Sequence, residues 1–288
     1  MERQRLRYVL GYCVAMLIIA AIWIRMESVP DALLAMEQPE PSISTGQSED
    51  GKVAPSYQAL YPDMYVEIES QETSAKAADE EIRRFYLTFD DGPSEVTKEV
   101  VEALEKADAR AAFFLIGNEI TKEREDLLRE MVEAGHILGI HTYSHDYKKI
   151  YGSVESYLED FHQTYERIYE VTGKKPVYFR FPWGSINCYN KGIRQELIEE
   201  MERRGFQYFD WNVSAEDSVG KPSEYSVLHN VIDDFPKFKN AIVLMHDSNM
   251  NTISAKMLPQ ILQAAKEKGY EFGTIDELEK PYHWPNSY

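Results

Sequence analysis

The chain has 288 residues, 43% of them hydrophobic, which suits one large domain or two small ones with a buried core. Its formal net charge of −18 disfavours nucleic acid as a partner, because phosphate binding needs clustered Lys and Arg side chains, and it favours an uncharged or locally cationic substrate. The two cysteines, Cys13 and Cys188, are far apart in the sequence, which disfavours a structural disulfide and a cysteine-rich metal site.

The N-terminus has the features of a membrane anchor. Arg3, Arg5 and Arg7 precede the uncharged stretch 8–24, which is long enough to span a bilayer. By the positive-inside rule, residues 1–25 are predicted to form a cytoplasmic basic flank and a single transmembrane signal anchor, with the rest of the chain outside the cytoplasm. The alternative is a cleaved signal peptide and a secreted protein, since both begin with a basic and then an apolar region.

Residues 26–83 are polar and acidic, and they have no sustained apolar period. Their Ser, Pro, Glu and Gln content predicts a largely disordered linker. The short apolar patch 57–66 interrupts this linker. It either packs against the following domain or forms a strand, and the sequence leaves both alternatives open.

From residue 84 onward, short β-rich apolar runs alternate with longer segments of helical period. The predicted strands are 84–89, 111–116, 137–140, 177–181, 207–212, 241–245 and 271–275. The amphipathic segments between them are 94–106, 121–134, 154–171, 191–204 and 254–268. Strict alternation implies parallel strands joined by right-handed crossovers, so the α/β domain 84–288 is predicted to be a distorted TIM-like (β/α)7 barrel.

Reactive side chains follow the predicted strands, where parallel barrels place their active sites. His141 and His145 come after the third strand and, four residues apart, would face the same side of a helical turn. With one carboxylate from a neighbouring strand they would form a three-ligand site for a divalent ion, open to water and substrate. Two exposed helical histidines are the alternative.

Asp90 and Asp91 are adjacent carboxylates at the end of the apolar first strand. Different roles would explain why both aspartates are present, since one would bind the metal while the other takes a proton from the nucleophilic water. The alternative is a turn, which the Asp-Gly-Pro sequence favours, although turn chemistry alone does not require two aspartates.

Arg180 lies at the end of the fourth predicted strand, and His246 follows the sixth. Arg180 would reach a carboxylate at the barrel mouth, and His246 would protonate a leaving amine. A surface arginine and a structural histidine are the alternatives. The chain has no Gly-x-Ser-x-Gly sequence, which disfavours hydrolysis by a serine nucleophile.

Five segments in order resemble the motifs of the polysaccharide deacetylases, the NodB-like domains of carbohydrate esterase family 4. They are Thr88-Phe89-Asp90-Asp91-Gly92-Pro93, His141-Thr142-Tyr143-Ser144-His145, Arg180-Phe181-Pro182-Trp183-Gly184, Asp217 and Leu244-Met245-His246. The resemblance spans about residues 85–278 and implies the distorted barrel that the periodicity also predicts.

The resemblance also implies the acid and base of the reaction. Asp90 would be the catalytic base, oriented by Arg180, and His246 the catalytic acid, tuned by Asp217. The family often has Trp directly after the aspartate of the fourth motif, whereas this chain has Ser218. The substrate groove is therefore expected to be more open, or differently lined, on that side.

The remaining motif residues are implied to bind the metal and the acetyl group. Asp91, His141 and His145 would hold one divalent ion, for which zinc is preferred from the ligand types, although cobalt, nickel and iron also suit them. The backbone N–H of Trp183 would help hold the oxyanion, and Leu244 would line the acetyl pocket.

The implied activity is hydrolytic removal of N-acetyl groups from an amino-sugar polymer, with release of acetate. The predicted anchor favours a polymer just outside the cell, such as peptidoglycan acetylated on N-acetylglucosamine or N-acetylmuramic acid, and no obligate protein partner is inferred. The alternatives are an acetyl esterase acting on xylan, a deacetylase of chitin-type oligosaccharides and, from another class, a catalytically silent wall-binding module. The intact metal ligands, base and acid disfavour the last of these.

Overall fold

Residues 55–67 and 82–285 are described by the computed structural model. Across these two ranges, none of the helices combines the length and the apolar character that crossing a bilayer requires. The predicted signal anchor 1–25 and most of the predicted linker 26–83 lie outside the described residues. Their boundaries therefore remain predictions.

Eight β-strands form one sheet, and all of its strand pairings are parallel. They are β1 Arg83–Asp90, β2 Ala112–Leu115, β3 Ile137–Ile140, β4 Tyr178–Phe179, β5 Gln207–Tyr208, β6 Val213–Ser214, β7 Asn240–His246 and β8 Tyr270–Gly273. The strand order is β5-β4-β3-β2-β1-β7-β6, and β8 pairs with β1. The predicted parallel α/β sheet is confirmed.

The fifth predicted strand, 207–212, is interrupted, because β5 covers only its first two residues and β6 begins just past its predicted end. This division curls the sheet. The N–H of Phe209 donates to the carbonyl of Phe179 next to β5, whereas the N–H of Asn212 donates to the carbonyl of Ile242 in β7. The extended segment 207–214 thus pairs with β4 at one end and with β7 at the other. The two margins of the sheet meet at this segment, consistent with a distorted (β/α)7 barrel.

The last strand, β8, does not lie between β7 and β1, as it would in a regular barrel. β7 pairs with β1 along Arg84–Asp90. Thr88–Asp90 also pair with β2, while Arg83–Tyr86 pair with β8. Because β7 occupies one whole edge of β1, β2 and β8 share the other edge.

Helices cover the outside of the sheet. They are α1 Glu95–Lys106, α2 Glu125–Glu133, α3 Tyr147–Ile150, α4 Val154–Thr172, α5 Arg194–Arg203, α6 Glu224–Ile232 and α7 Thr252–Glu267. The side chains of Ser94, Ser153 and Ser223 cap α1, α4 and α6, and α4 ends at Gly173 with a left-handed φ of 68°. All five predicted amphipathic segments are helical, whereas α3 and α6 were not predicted.

Successive side chains of β1 point to opposite faces of the sheet and contribute to two separate apolar clusters. Phe85, Leu87 and Phe89 face the helices and join the main core. Tyr86 faces the inside of the curled sheet, where a smaller cluster also contains Phe114 and Ile242. The inward-facing residues of β1 that follow Tyr86 are polar, namely Thr88 and Asp90. The inside of the sheet is therefore apolar near the start of β1 and polar at the carboxyl ends of the strands.

Residues 55–67 pack against the outside of the domain formed by residues 82–285. They contain the 3-10 helix Ser56–Ala59, and Met64 is fully buried in the main core. The carboxylate of Asp63 lies 3.2 Å from Nε2 of His162 on α4. Of the two alternatives that the sequence left open for the apolar patch, the structure shows packing rather than a strand.

Arg204, directly after α5, holds this N-terminal segment. Its fully buried guanidinium donates to the backbone carbonyls of Tyr57, Leu60 and Tyr61 at 3.2, 2.8 and 3.1 Å. Nε of Arg204 also lies 2.6 Å from Oε1 of Glu200, which is itself buried. The charge of Arg204 is therefore balanced by one carboxylate and by backbone dipoles of the segment.

We expect Arg204→Met to lower the free energy of unfolding by about 3–5 kcal/mol, because it leaves several carbonyls of residues 57–61 without a donor and leaves the buried Glu200 with Arg203 as its remaining ionic partner. Arg203→Met is the matched control. Arg203 also bonds Glu200, but 36% of its side chain is exposed, so we expect a loss of about 1 kcal/mol. Urea unfolding of both purified variants measures the difference, and equal losses would show that Arg204 does not hold the segment.

Candidate active site

The residues singled out in the sequence meet at the carboxyl ends of the strands. In the register of β1 and β7, Asp90 lies opposite His246 and Thr88 lies opposite Leu244. Side chains two residues apart point to the same face of a strand, so all four share the inner face of the sheet. Asp91, His141, His145, Arg180, Trp183 and Asp217 lie on loops or strand ends around them.

Asp90 is buried and pairs with Arg180. Nη1 of Arg180 donates to Oδ1 of Asp90 at 2.8 Å and to Oγ1 of Thr88 at 2.9 Å, and its Nε donates to the carbonyl of Phe209 at 2.8 Å. Arg180 is fully buried, and its guanidinium lies 4.4 Å from the ring centroid of Phe114. Burial raises the pKa of Asp90 above its usual range, although Arg180 and nearby histidines act in the opposite direction.

Asp91, His141 and His145 form a cluster with one ligand atom each within 4.8 Å of the others. Oδ1 of Asp91 lies 3.6 Å from Nε2 of His141 and 3.6 Å from Nε2 of His145. This oxygen is buried and has no hydrogen-bond partner. A buried carboxylate oxygen facing two imidazole nitrogens, with no proton donor, is typical of a metal site.

The geometry of the cluster fits a tetrahedral ion. Ligand bonds of about 2.0–2.1 Å in a tetrahedron set neighbouring ligand atoms about 3.4 Å apart, close to the two separations above. Nδ1 of His141 lies 2.9 Å from the carbonyl of Arg180, which fixes the tautomer with Nε2 free to bind. Burial, together with His145, lowers the pKa of His141 to about 3, so its ring is neutral, as a ligand must be.

His246 pairs with Asp217 on the other side of Asp90. Nδ1 of His246 lies 2.7 Å from Oδ1 of Asp217, and the backbone N–H of His246 donates to Oδ2 at 2.7 Å. Asp217 also accepts from the hydroxyl of Ser254. Burial lowers the pKa of His246, but the hydrogen bond and charge of Asp217 outweigh it, so the pKa rises to about 9.

The side chain that follows Asp217 is small. Ser218 is exposed, and its hydroxyl lies 3.4 Å from Nε2 of His246. Serine places fewer atoms beside this histidine, whose side chain is 14% exposed, than a tryptophan would. The more open groove stays a prediction.

Trp183 and Leu244 border the same space. Trp183 has a left-handed φ of 64°, its ring is 40% exposed, and its ring centroid lies 4.6 Å from that of His145. Among the described residues, no group accepts a hydrogen bond from the backbone N–H of Trp183. Leu244 is 5% exposed and belongs to neither apolar cluster, which leaves its side chain beside Thr88 below His246.

Two buried carboxylates that the sequence analysis did not identify hold the loops. Asp160 on α4 accepts from the N–H and the hydroxyl of Ser144 at 3.0 and 2.6 Å, between the two histidines of the cluster. Asp210 accepts from the N–H and hydroxyl of Ser185 at 2.9 and 2.6 Å, just after Trp183. An acidic residue on the inward face of an amphipathic helix was the available signal for Asp160. Asp210 gave no such signal.

A third buried carboxylate, Asp247, supports the turn after β1. Its N–H donates to the carbonyl of Asp90 at 3.0 Å, and Oγ1 of Thr97 donates to its Oδ2 at 2.5 Å. A Cβ atom on residue 92 would collide with this carboxylate, so the close approach requires Gly92. Burial raises the pKa of Asp247 to about 7, against the effect of the Thr97 hydrogen bond.

Left-handed backbone conformations are concentrated at this site. Seven described non-glycine residues have positive φ, and five of them lie in the loops of the site, namely Asp91, Thr142, His145, Trp183 and Glu216. Such conformations cost about 1–3 kcal/mol each and persist where the surroundings enforce them. The hydrogen bonds that Asp160 and Asp210 accept hold the loops of Thr142, His145 and Trp183, and the backbone N–H of Asp247 donates to the carbonyl of Asp90, next to Asp91.

The chain is similar in sequence to known proteins. Residues 77–207 match the family model described as polysaccharide deacetylase. The chain is 34% identical over 197 residues to the peptidoglycan-N-acetylglucosamine deacetylase of Bacillus cereus, covering 67% of this chain and 69% of that protein. It is 30% identical over 249 residues to the putative polysaccharide deacetylase YheN of Bacillus subtilis, covering 85% and 84%.

A solved structure extends the likeness to the fold. The catalytic domain of peptidoglycan N-acetylglucosamine deacetylase from Eubacterium rectale superimposes with a TM-score of 0.66 and 33% sequence identity. The match covers 71% of this chain and 94% of that domain.

Proposed function

Because this chain belongs to the polysaccharide deacetylase family, a group of hydrolases that act on carbon–nitrogen bonds, we propose that it removes N-acetyl groups from the amino sugars of cell-wall peptidoglycan and releases acetate. One observation carries this proposal. A cluster with metal-ligand geometry lies beside a buried carboxylate paired with arginine, and a histidine paired with aspartate lies opposite that carboxylate. Base, ion and acid are the three parts that amide hydrolysis needs.

We infer that Asp91, His141 and His145 would hold one divalent ion, with zinc favoured by two imidazoles and one carboxylate. When bound, such an ion lowers the pKa of water and polarises a carbonyl oxygen. The neutral ring of His141 and the partnerless oxygen of Asp91 support this assignment.

The other residues would move protons and hold the reacting groups. Asp90 accepts a proton from the attacking water, and Arg180 keeps its carboxylate oriented while leaving Oδ2 free of the guanidinium. The N–H of Trp183 donates to the developing oxyanion, and Leu244 contacts the acetyl methyl group. His246 then donates a proton from Nε2 to the departing amine, since its Nδ1 is bound to Asp217.

The pairing of His246 with Asp217 predicts the basic limb of the pH profile. An acid must be protonated to act, so kcat/KM should fall as pH rises through the pKa of about 9. Asp217→Asn removes the anion that raises this pKa, and we expect the limb to move down by about 1–3 pH units. Acetate release measured from pH 6 to 10 on both proteins tests this. An unmoved limb would mean that another group is the acid.

We propose that the domain works outside the cytoplasm, tethered by the predicted anchor 1–25 through the linker. Its support is the basic and apolar N-terminal sequence, and the alternative is secretion after cleavage. Membrane fractionation of cells that express the whole chain, with protease added outside intact cells, distinguishes the two. Accumulation of a free domain in the medium would contradict the anchor.

Acetate release from three substrates tests the proposed activity. We expect release from purified peptidoglycan and from chitooligosaccharides, whose N-acetyl groups are chemically alike, and less from acetylated xylan. Mass analysis of digested peptidoglycan would show whether N-acetylglucosamine or N-acetylmuramic acid loses its acetyl group. Acetate from xylan alone would identify an esterase, and no acetate from any substrate would contradict the proposal.

A further inference from the structure

Three exposed aromatic side chains lie together beside the candidate active site. Tyr147, Trp183 and Tyr189 are 40, 40 and 42% exposed. The ring centroids of Tyr147 and Tyr189 are 4.4 Å apart, and that of Trp183 lies 5.0 Å from Tyr189 and 6.2 Å from Tyr147. Since the ring of Trp183 also contacts His145, this aromatic platform is continuous with the candidate metal cluster.

Short hydrogen-bonded turns hold the platform in place. Tyr147 is the first residue of α3, whose N-terminus is capped by the side chain of Asp146. Oδ1 of Asn187 accepts from the N–H of Tyr189 at 2.8 Å, while its Nδ2 donates to the carbonyls of Pro182 and Gly184 at 3.2 and 2.9 Å. Asn187 thus ties the turn of Tyr189 to the turn of Trp183, so the rings are preorganised.

Contact between exposed rings distinguishes this surface from the rest of the domain. The other large exposed apolar side chains of the described residues are Tyr169, Val219, Tyr225 and Met250. None of these has an aromatic contact with another of the seven exposed side chains. Scattered exposed apolar residues need no explanation, whereas a contiguous patch beside a site indicates binding.

We propose that Tyr147 and Tyr189, with Trp183, bind a sugar ring of the glycan next to the sugar that is deacetylated. This rests on the proposed function. Aromatic side chains offer a flat apolar face for the C–H groups of a pyranose ring and, in tyrosine, a hydroxyl for the ring substituents. Three side chains are too few for a stable protein interface, which buries about 800 Å² on each partner. A sugar matches the size and position of the platform.

The double variant Tyr147→Ala/Tyr189→Ala tests the proposal with N-acetylglucosamine oligomers of two to six sugars. We expect kcat/KM on oligomers of two or more sugars to fall about tenfold, mainly through KM, and kcat/KM on the single sugar N-acetylglucosamine, which cannot reach the platform, to change little. Tyr147→Phe/Tyr189→Phe should recover most of the loss, because the ring faces remain. Tyr225→Ala, at an exposed tyrosine on α6, is the matched control for removing a surface ring.

A loss on the single sugar as large as the loss on the oligomers would overturn the platform, since it would indicate damage to the reaction centre. Hexamer binding by calorimetry separates this inference from the proposed activity. If the wild-type chain binds the hexamer about tenfold more tightly than the alanine variant but releases no acetate, the sugar-binding proposal is supported and the proposed activity is contradicted. If acetate is released but the two proteins bind and process the hexamer alike, the sugar-binding proposal is contradicted and the proposed activity is supported.

Discussion

Asp90→Asn is expected to reduce the rate of acetate release by about 10²–10⁴, the loss typical for removal of a general base. Asparagine has nearly the same shape as aspartate, and its side-chain carbonyl still accepts the hydrogen bond that Arg180 donates to Oδ1. The fold should therefore be kept. What disappears is the carboxylate whose pKa burial raises toward the range where a base is effective.

Metal content decides how this loss is interpreted. Oδ2 of Asp90 lies 3.8 Å from Nε2 of His141, so Asp90 is close enough to the cluster for the two aspartates to be confused. If Asp90 is the base, the Asn variant should bind as much zinc as the wild-type protein, by elemental analysis after dialysis. Loss of both metal and activity would mean that Asp90 is a ligand and that another group takes the proton.

The sequence was sufficient to locate the site because parallel strands align their carboxyl ends. Once the strands before Asp90, His141, Arg180 and His246 were identified from their apolar periodicity, alternation and topology brought these residues together without further information. Four of the five motif segments lie at those strand ends or the adjoining loops, whereas Asp217 follows the short strand β6. The signal was strong for these four because each of them follows a predicted strand.

Two kinds of contact could not be predicted from the sequence: side-chain contacts with backbone groups, and contacts between carboxylates and loops that are distant in the sequence. Arg204 binds carbonyls of residues 57–61, and any sequence presents carbonyls, so the docking of the apolar patch could not be predicted. Asp210 bonds a backbone N–H on another loop, a pairing fixed only by tertiary structure. The division of the fifth strand also depends on its two neighbours rather than on its own residues.

The three buried carboxylates suggest why the strained loops keep their shape. Asp160, Asp210 and Asp247 lie behind the three loops that carry the metal ligands and Trp183. The carboxylates of Asp160 and Asp210 accept from backbone N–H groups of these loops, whereas Asp247 accepts from the hydroxyl of Thr97 and its backbone N–H donates to the carbonyl of Asp90. Left-handed residues such as His145 and Trp183 would otherwise relax. Precise presentation of the ligands therefore depends on residues that would not touch the substrate.

Asp91→Asn is expected to abolish most activity by a different route, through loss of the metal. The change removes the anionic ligand, whose Oδ1 faces both histidines at 3.6 Å, and we expect zinc affinity to fall by more than about 100-fold. Asparagine suits the left-handed φ of 75° at this position about as well as aspartate, so the turn should persist. Added zinc should restore part of the rate, which it cannot do for Asp90→Asn.

The chain provides a matched control for this loss of metal. Asp63, His162 and Glu166 form a second set of ligand-type groups within 4.8 Å of one another, where the segment 55–67 packs against α4 on the outside of the sheet. Both ring nitrogens of His162 already face carboxylates, at 3.2 and 3.6 Å, and Asp63 and Glu166 are exposed. His162→Ala should therefore leave bound zinc and acetate release near wild-type values, whereas His141→Ala should lose both. Zinc retained by His141→Ala but lost from His162→Ala would show that the ion binds at the surface and that the candidate site is wrong.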